Sequence, residues 1–262
     1  MSQAALPFAG RRALVTGANS GIGLAIAQGL RAQGADLVLH HFGDPEGAAR
    51  LARDCGAAPV IEADFTQAGA ARHVAGEVAR LGGVDILIAN AAIERRAAWQ
   101  TLDEATMGAH VSANFQSLIT LTQALLPGMM QRGWGRVVAM GSILSARPRA
   151  ETLAYAAMKA AQRVAIMALA REAAPHGVTM NVVSPGAIEV EKNAARYADP
   201  VFRQAVVAKI PAGRQGQPQD VAAAVLFLCS NEAAYITGAD LPVDGGWSIG
   251  DPPGMLPGEA RR

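Results

Sequence analysis

The stretch Arg12-Ala13-Leu14-Val15-Thr16-Gly17-Ala18-Asn19-Ser20-Gly21-Ile22-Gly23 decides the fold. Its first five residues make an apolar run of strand length, and apolar residues recur at helical spacing from Gly21 to Gln33. Between the two, glycines stand where a chain leaving a strand must turn at once into a helix. Glycine accepts the left-handed backbone of such a turn and, lacking a Cβ, lets backbone amides close on a ligand. Those amides lie at the positive end of a helix dipole, so the ligand that suits them carries phosphate.

Outward from this unit the same alternation repeats. Candidate strands cover 12–16, 36–41, 58–62, 84–90, 135–141, 178–183 and 240–243; candidate helices cover 21–33, 46–54, 66–80, 102–131, 153–174 and 218–230. Most of the strands are continuously hydrophobic, the pattern expected when helices cover both faces of a sheet. Alternation without a linker predicts one α/β domain over 1–262, a Rossmann-type doubly wound parallel sheet of about seven strands with helices on both faces. The segment 187–216 follows Pro185-Gly186, mixes charged and apolar residues, and reads as a lid of short helices over the ligand. The tail, 247–262, contains a Pro/Gly-rich stretch from Gly250 to Gly258 expected to run over the surface or across a neighbouring subunit.

Composition narrows the class. With 51% hydrophobic and 17% charged residues, the chain has material for a large core and no bias toward disorder. A net charge of +1 offers no broad footprint for nucleic acid or an anionic membrane. Cys55 and Cys229 are far apart and lack metal-ligand spacing, so both read as buried or incidental thiols of a reducing compartment, and no metal site is expected. The first ten residues lack a basic start followed by a long apolar run, and no stretch approaches a membrane span. The expectation is a cytoplasmic protein acting on a small molecule.

Four polar residues carry the chemistry. Tyr155 and Lys159 stand four residues apart, on one face of a helix. A phenol that accepts a proton near neutral pH needs its phenolate stabilised, and a neighbouring ammonium lowers its pKa in that sense. Ser142 closes the strand 135–141 at its carboxyl end, where open α/β sheets bind ligands, and its hydroxyl can bond a reacting oxygen. Asn114 falls inside the helix 102–131. A buried amide there needs a partner, so Asn114 is either functional or water-holding, or a polar residue bonding a helical carbonyl at a kink.

These residues, with the Asn90 segment, Asn181 to Pro185-Gly186 and Val243-Asp244-Gly245-Gly246, resemble the short-chain dehydrogenase/reductase family in order and spacing from Thr16 to Gly246. The resemblance implies Tyr155 as general acid/base, Lys159 lowering its pKa and holding the nicotinamide ribose, Ser142 orienting the substrate oxygen, and Asn114 supporting a proton relay through water. It implies a cofactor site of Gly17, Asn19, Ser20, Gly21, Ile22, Gly23, His41, Phe42, Asp64, Phe65, Asn90, Ala91, Pro185, Gly186 and Ile188, together with Tyr155 and Lys159. Asp64 reads equally as an N-cap of the next helix. Two departures are visible: Ala89-Asn90-Ala91-Ala92 replaces the family's common Asn-Asn-Ala-Gly, and Val190 replaces a threonine partner of the nicotinamide amide. Family members are commonly tetramers built on the two long helices. The small residues Ala160, Ala161, Ala165 and Ala168 suit such packing, or packing on the chain's own sheet.

At the second strand's end, where an acidic residue marks NAD enzymes, stand His40-His41-Phe42, with Asp44 just beyond and no Lys or Arg. NAD is the preferred cofactor and NADP the alternative. The expected substrate residues are Arg95, Ser142, Leu144, Arg147, Arg149 and Tyr155. The loops Glu94-Arg95-Arg96 and Arg147-Pro148-Arg149 bring guanidinium groups that either grip a carboxylate, phosphate or sulfonate, or face water and pair with Glu94 and Glu151. The segment after Pro185 resembles that of the family's sugar and polyol dehydrogenases, such as glucose 1-dehydrogenase. The combined expectation is oxidation of an acidic or sulfonated aldose at its anomeric carbon to a lactone. The alternatives are reduction of a 3-oxoacyl group on a carrier protein and, in another class, a dinucleotide sensor without turnover.

Overall fold

The computed structural model describes residues 6–250. Its elements in chain order are β1 (Arg12–Thr16), α1 (Gly21–Ala32), β2 (Asp36–His41), α2 (Pro45–Asp54), β3 (Val60–Glu62), α3 (Ala70–Arg80), β4 (Ile86–Ala89), α4 (Glu104–His110), α5 (Ser117–Arg132), β5 (Gly135–Met140), α6 (Leu153–Ala173), β6 (Val178–Pro185), α7 (Glu191–Tyr197), α8 (Pro200–Val207), α9 (Pro218–Cys229) and β7 (Asp240–Val243). The seven strands form one parallel sheet in the order β3-β2-β1-β4-β5-β6-β7. Val15 of β1 pairs with Leu39 on one side and Ile88 on the other, so the order reverses at β1 and a crevice opens at the carboxyl ends of β1 and β4.

Helices cover both faces, as the unbroken apolar strands require. On one face Ile26 and Leu30 of α1 and Val221, Val225 and Leu228 of α9 are buried against the sheet. On the other, Val74 and Val78 of α3, Leu118, Leu121 and Leu125 of α5 and Ile166 and Ala170 of α6 do the same. Each fully buried Leu, Ile or Val contributes about 1.5–3 kcal/mol.

The long helix expected over 102–131 is divided. α4 starts at Asp103, whose Oδ1 accepts from Thr106 N at 2.7 Å. A π-helical segment, Val111–Gln116, then separates it from α5. One extra residue per turn re-aims the side chains, and Asn114 lies within this segment. The helix expected from Thr66 begins only at Ala70, because the Asp64 carboxylate captures Thr66 N at 2.9 Å in a tight turn and Gly69, at φ 83°, redirects the chain into α3. Asp64 therefore closes a turn, and Gly69 holds the N-cap position. α7 and α8 supply two short helices in the segment read as a lid. Residues 1–5 and 251–262, including nearly all of the Pro/Gly-rich tail, lie outside the described residues.

Candidate active site

The turn after β1 is locked from the neighbouring strand. Thr16 Oγ1 donates to Ile88 O at 3.2 Å and accepts from the amides of Asn90 (2.9 Å) and Ala91 (3.0 Å). Asn90 Nδ2 donates to Thr16 O and Gly17 O, both at 2.9 Å. The Asn90-Ala91-Ala92 version of the loop thus ties the turn down through Asn90. Gly17 (φ 63°) and Gly21 (φ 53°) occupy left-handed backbone, and a Cβ on Gly23 would stand 2.0 Å from Gly17 O. Leu24 N bonds back to Ser20 O, so the amides of the first helical turn before it point outward for an anion.

That anion would lie in a cleft of about 1380 Å³ along the carboxyl edge of the sheet, roomier than the usual 300–1,000 Å³ of a single small-ligand site. Its walls include Gly17, Asn19 to Gly23, Phe42, Asp64, Phe65, Asn90 and Ala91 at one end and Ser142, Leu144, Arg147, Arg149, Tyr155 and Lys159 at the other, and Pro185, Gly186, Ile188 and Val190 also line it. The glycine cradle, closed to any side chain at Gly23, fits a dinucleotide pyrophosphate.

Three expected residues stand elsewhere. His41 is buried and absent from the cleft wall; His40, which the reading of the sequence passed over, lines it instead. In a strand buried on both faces no polar alternation reveals which of two adjacent residues faces the ligand. Arg95 is outside the cleft: its amide donates to His110 Nε2 at 3.2 Å, and its charge bears on Asp64 and Asp103. Arg96 lines the cleft in its place. Asn114 is fully buried behind the wall, with Nδ2 donating to Ile93 O and Oδ1 accepting from Ile93 N, each at 2.8 Å. It bonds no helical carbonyl; it pins the loop that follows β4.

Ser142 and Tyr155 meet. Ser142 Oγ accepts from Leu144 N at 3.1 Å, and the Ser142 side chain faces the Tyr155 hydroxyl closely enough to pull its pKa down. Lys159 is buried, donates from Nζ to Met140 O at 2.6 Å, and lies 5.6 Å from the Tyr155 ring centroid. The surroundings of Tyr155 oppose the lowering expected from Lys159. Burial first and the Glu94 charge second push the phenol up to about 12, against a smaller pull from Ser142. Burial also pushes Lys159 down to about 7, which works against the cation that favours phenolate.

At the same end stands Arg196, which no motif marked and which α7 carries to the cleft wall. Burial and the charges of Arg96 and Arg196 together hold the Arg149 pKa below its ordinary value. Glu94 partly offsets this group, its Oε1 accepting from Arg96 Nε at 2.8 Å. Arg147 donates to Trp247 O at 2.5 Å, tying its loop to the segment after β7.

Among the described residues no group of His, Cys, Asp and Glu could hold a metal ion, and no helix is long and apolar enough to cross a membrane. A family model described as enoyl-(acyl carrier protein) reductase matches residues 17–248. The chain is 37% identical over 243 residues to the 3-oxoacyl-(acyl-carrier-protein) reductase FabG of Salmonella typhimurium, covering 92% of this chain and 98% of that protein. Two solved structures align closely. One is a 3-oxoacyl (acyl-carrier-protein) reductase from Agrobacterium tumefaciens with NADP bound (TM-score 0.86, 35% identity, 94% and 97% of the two chains covered). The other, from Beutenbergia cavernae, is described as an NAD(P)-dependent gluconate 5-dehydrogenase with bound NADP (TM-score 0.86, 37% identity, 94% and 99% covered). With that similarity over nearly its whole length and a glycine cradle leading to a serine–tyrosine pair, the chain belongs to the short-chain dehydrogenase/reductase family and is an NAD(P)-dependent oxidoreductase.

Proposed function

We propose that this enzyme oxidises an aldose bearing a carboxylate or sulfonate at its anomeric carbon to the lactone, with NAD as hydride acceptor. The observation that carries the reading is the convergence of Arg96, Arg149 and Arg196 on the Tyr155 end of the cleft. Planar guanidinium groups recognise oxyanions bidentately, and like charges held this close gain from an anion placed among them. Glu94, on the same wall, can accept hydrogen bonds from sugar hydroxyls, which a purely acyl substrate does not offer.

In this reading Tyr155 removes the proton of the anomeric hydroxyl while Ser142 holds the same oxygen through its own hydroxyl. Lys159, buried beside the tyrosine, would hold the nicotinamide ribose. Bound along Gly17 to Gly23, the nicotinamide cofactor supplies the hydride acceptor. Asn114 acts through the loop it pins to Ile93 rather than on the substrate. The preference for NAD rests on the adenosine end: among the cleft residues after β1, β2 and β3 none is Lys or Arg, and Phe42 and Asp44 stand where a 2′-phosphate would need a cation. The reading places the enzyme in the cytoplasm, where Cys55 and Cys229, both buried and free, stay reduced. It includes a homotetramer: Ala160, Ala161, Ala165 and Ala168 are at least partly exposed on α6, beside the exposed Val164 and Met167, while Ile166 and Ala170 turn to the core.

Similarity to FabG favours a second reading, reduction of a 3-oxoacyl thioester with the arginines meeting an acidic carrier protein. Absorbance at 340 nm with NAD, NADP, NADH and NADPH against neutral sugars, uronic and sulfonated sugars, and 3-oxoacyl thioesters separates them. Turnover of an anionic sugar at least tenfold above its neutral parent supports the first; activity confined to thioesters removes it.

A further inference from the structure

His40, the last but one residue of β2, is 2% exposed, yet it touches two loops at once, the turn after β1 and the loop after β3. Its Nδ1 lies 3.2 Å from Gly17 N, its Nε2 lies 2.9 Å from Ala63 O, and its ring stacks on Phe65 at 4.1 Å between centroids and 3° between planes. Its main-chain carbonyl accepts from Ala18 N at 2.9 Å. The partners dictate the tautomer. An amide only donates, so Nδ1 must be bare; a carbonyl only accepts, so Nε2 must carry the proton. Burial first, and the charge of His41 after it, hold the pKa down to about 4 against the pull of Ala63 O, so the ring is neutral and can serve as this two-way connector near neutral pH.

The consequence for the phosphate turn follows from counting donors. Gly17 and Ala18 spend consecutive amides on one residue, which leaves those from Asn19 onward for the ligand and fixes the direction in which they point. The same ring joins this turn to Ala63 and Phe65, beside Asp64 on the cleft wall. We propose that His40 is a positioning residue for the dinucleotide, holding the glycine turn and the loop after β3 in one geometry through its Nδ1 acceptor to Gly17. It contacts no reacting atom; its effect is on cofactor affinity. The proposal rests on the chain's membership of a nicotinamide-dependent family and not on the identity of the sugar.

The two hydrogen bonds can be separated. In His40→Asn the amide oxygen can take the place of Nδ1 and keep the Gly17 bond; in His40→Gln the longer amide reaches the Nε2 position and keeps the Ala63 bond instead. NADH binding is measured by fluorescence titration at pH 7.5, alongside circular dichroism, thermal unfolding of the ligand-free protein, and kcat at saturating cofactor. Expected is a dissociation constant within about threefold of wild type for His40→Asn and weakened about five- to tenfold for His40→Gln, the cost of one hydrogen bond to the turn, with kcat retained in both. Equal affinity loss in both variants, or a loss that tracks only the drop in unfolding temperature, overturns the proposal, as does unchanged affinity in His40→Gln. Wild-type protein that binds no NADH at all would instead refute the cofactor assignment.

Discussion

Lys159 donates its ammonium to the Met140 carbonyl at 2.6 Å, while the ring centre of Tyr155, the group it is placed to influence, lies 5.6 Å away. The lysine is therefore anchored to β5 and not to the phenol, and the group that pulls the tyrosine pKa down is Ser142.

Under the proposed mechanism Tyr155→Phe removes the proton acceptor without changing the shape of the cleft. Turnover should fall about 10²- to 10⁴-fold, the usual contribution of a positioned acid or base, while NADH titration gives an unchanged dissociation constant. Retained turnover would assign the proton transfer to another group.

The Glu94 charge is the second cause of the raised phenol pKa after burial. In the oxidative direction the rate rises with pH as the phenol ionises. Removing the negative charge in Glu94→Gln lowers that pKa, so the rising limb of log kcat against pH should move to lower pH. A limb that stays in place, or moves to higher pH, contradicts the electrostatic account.

Gly23→Ala places a methyl 2.0 Å from Gly17 O and 2.6 Å from Asn90 Nδ2, and neither neighbour is a free side-chain end, since Asn90 is bonded to Thr16 and Gly17. Overpacking here should cost about 1–3 kcal/mol in urea-induced unfolding and abolish measurable NADH binding. Normal affinity would mean that the turn can open without penalty.

Arg149→Ala and Arg196→Ala each remove one guanidinium from the part of the cleft proposed to take the substrate. For an anionic sugar KM should rise about tenfold or more, as expected for loss of a charge-assisted hydrogen bond, while KM for the neutral parent sugar changes little. Equal changes for both sugars would point to a packing role.

The strand–turn–helix signature from Arg12 to Gly23, the continuous apolar strands and the Tyr155–Lys159 spacing were all legible along the chain, because each depends on local propensity or on a fixed helical period. They determined the parallel sheet, the phosphate turn and the reaction class. Tertiary structure alone decided that His40 and not His41 meets the cleft, that Arg96 enters it while Arg95 turns away, that Asn114 spends its amide on Ile93, and that Arg196 arrives from a helix 41 residues beyond Tyr155. Each of these turns on which way a side chain faces where elements distant in sequence pack together, and a buried parallel strand or a loop carries no periodicity from which that direction can be read.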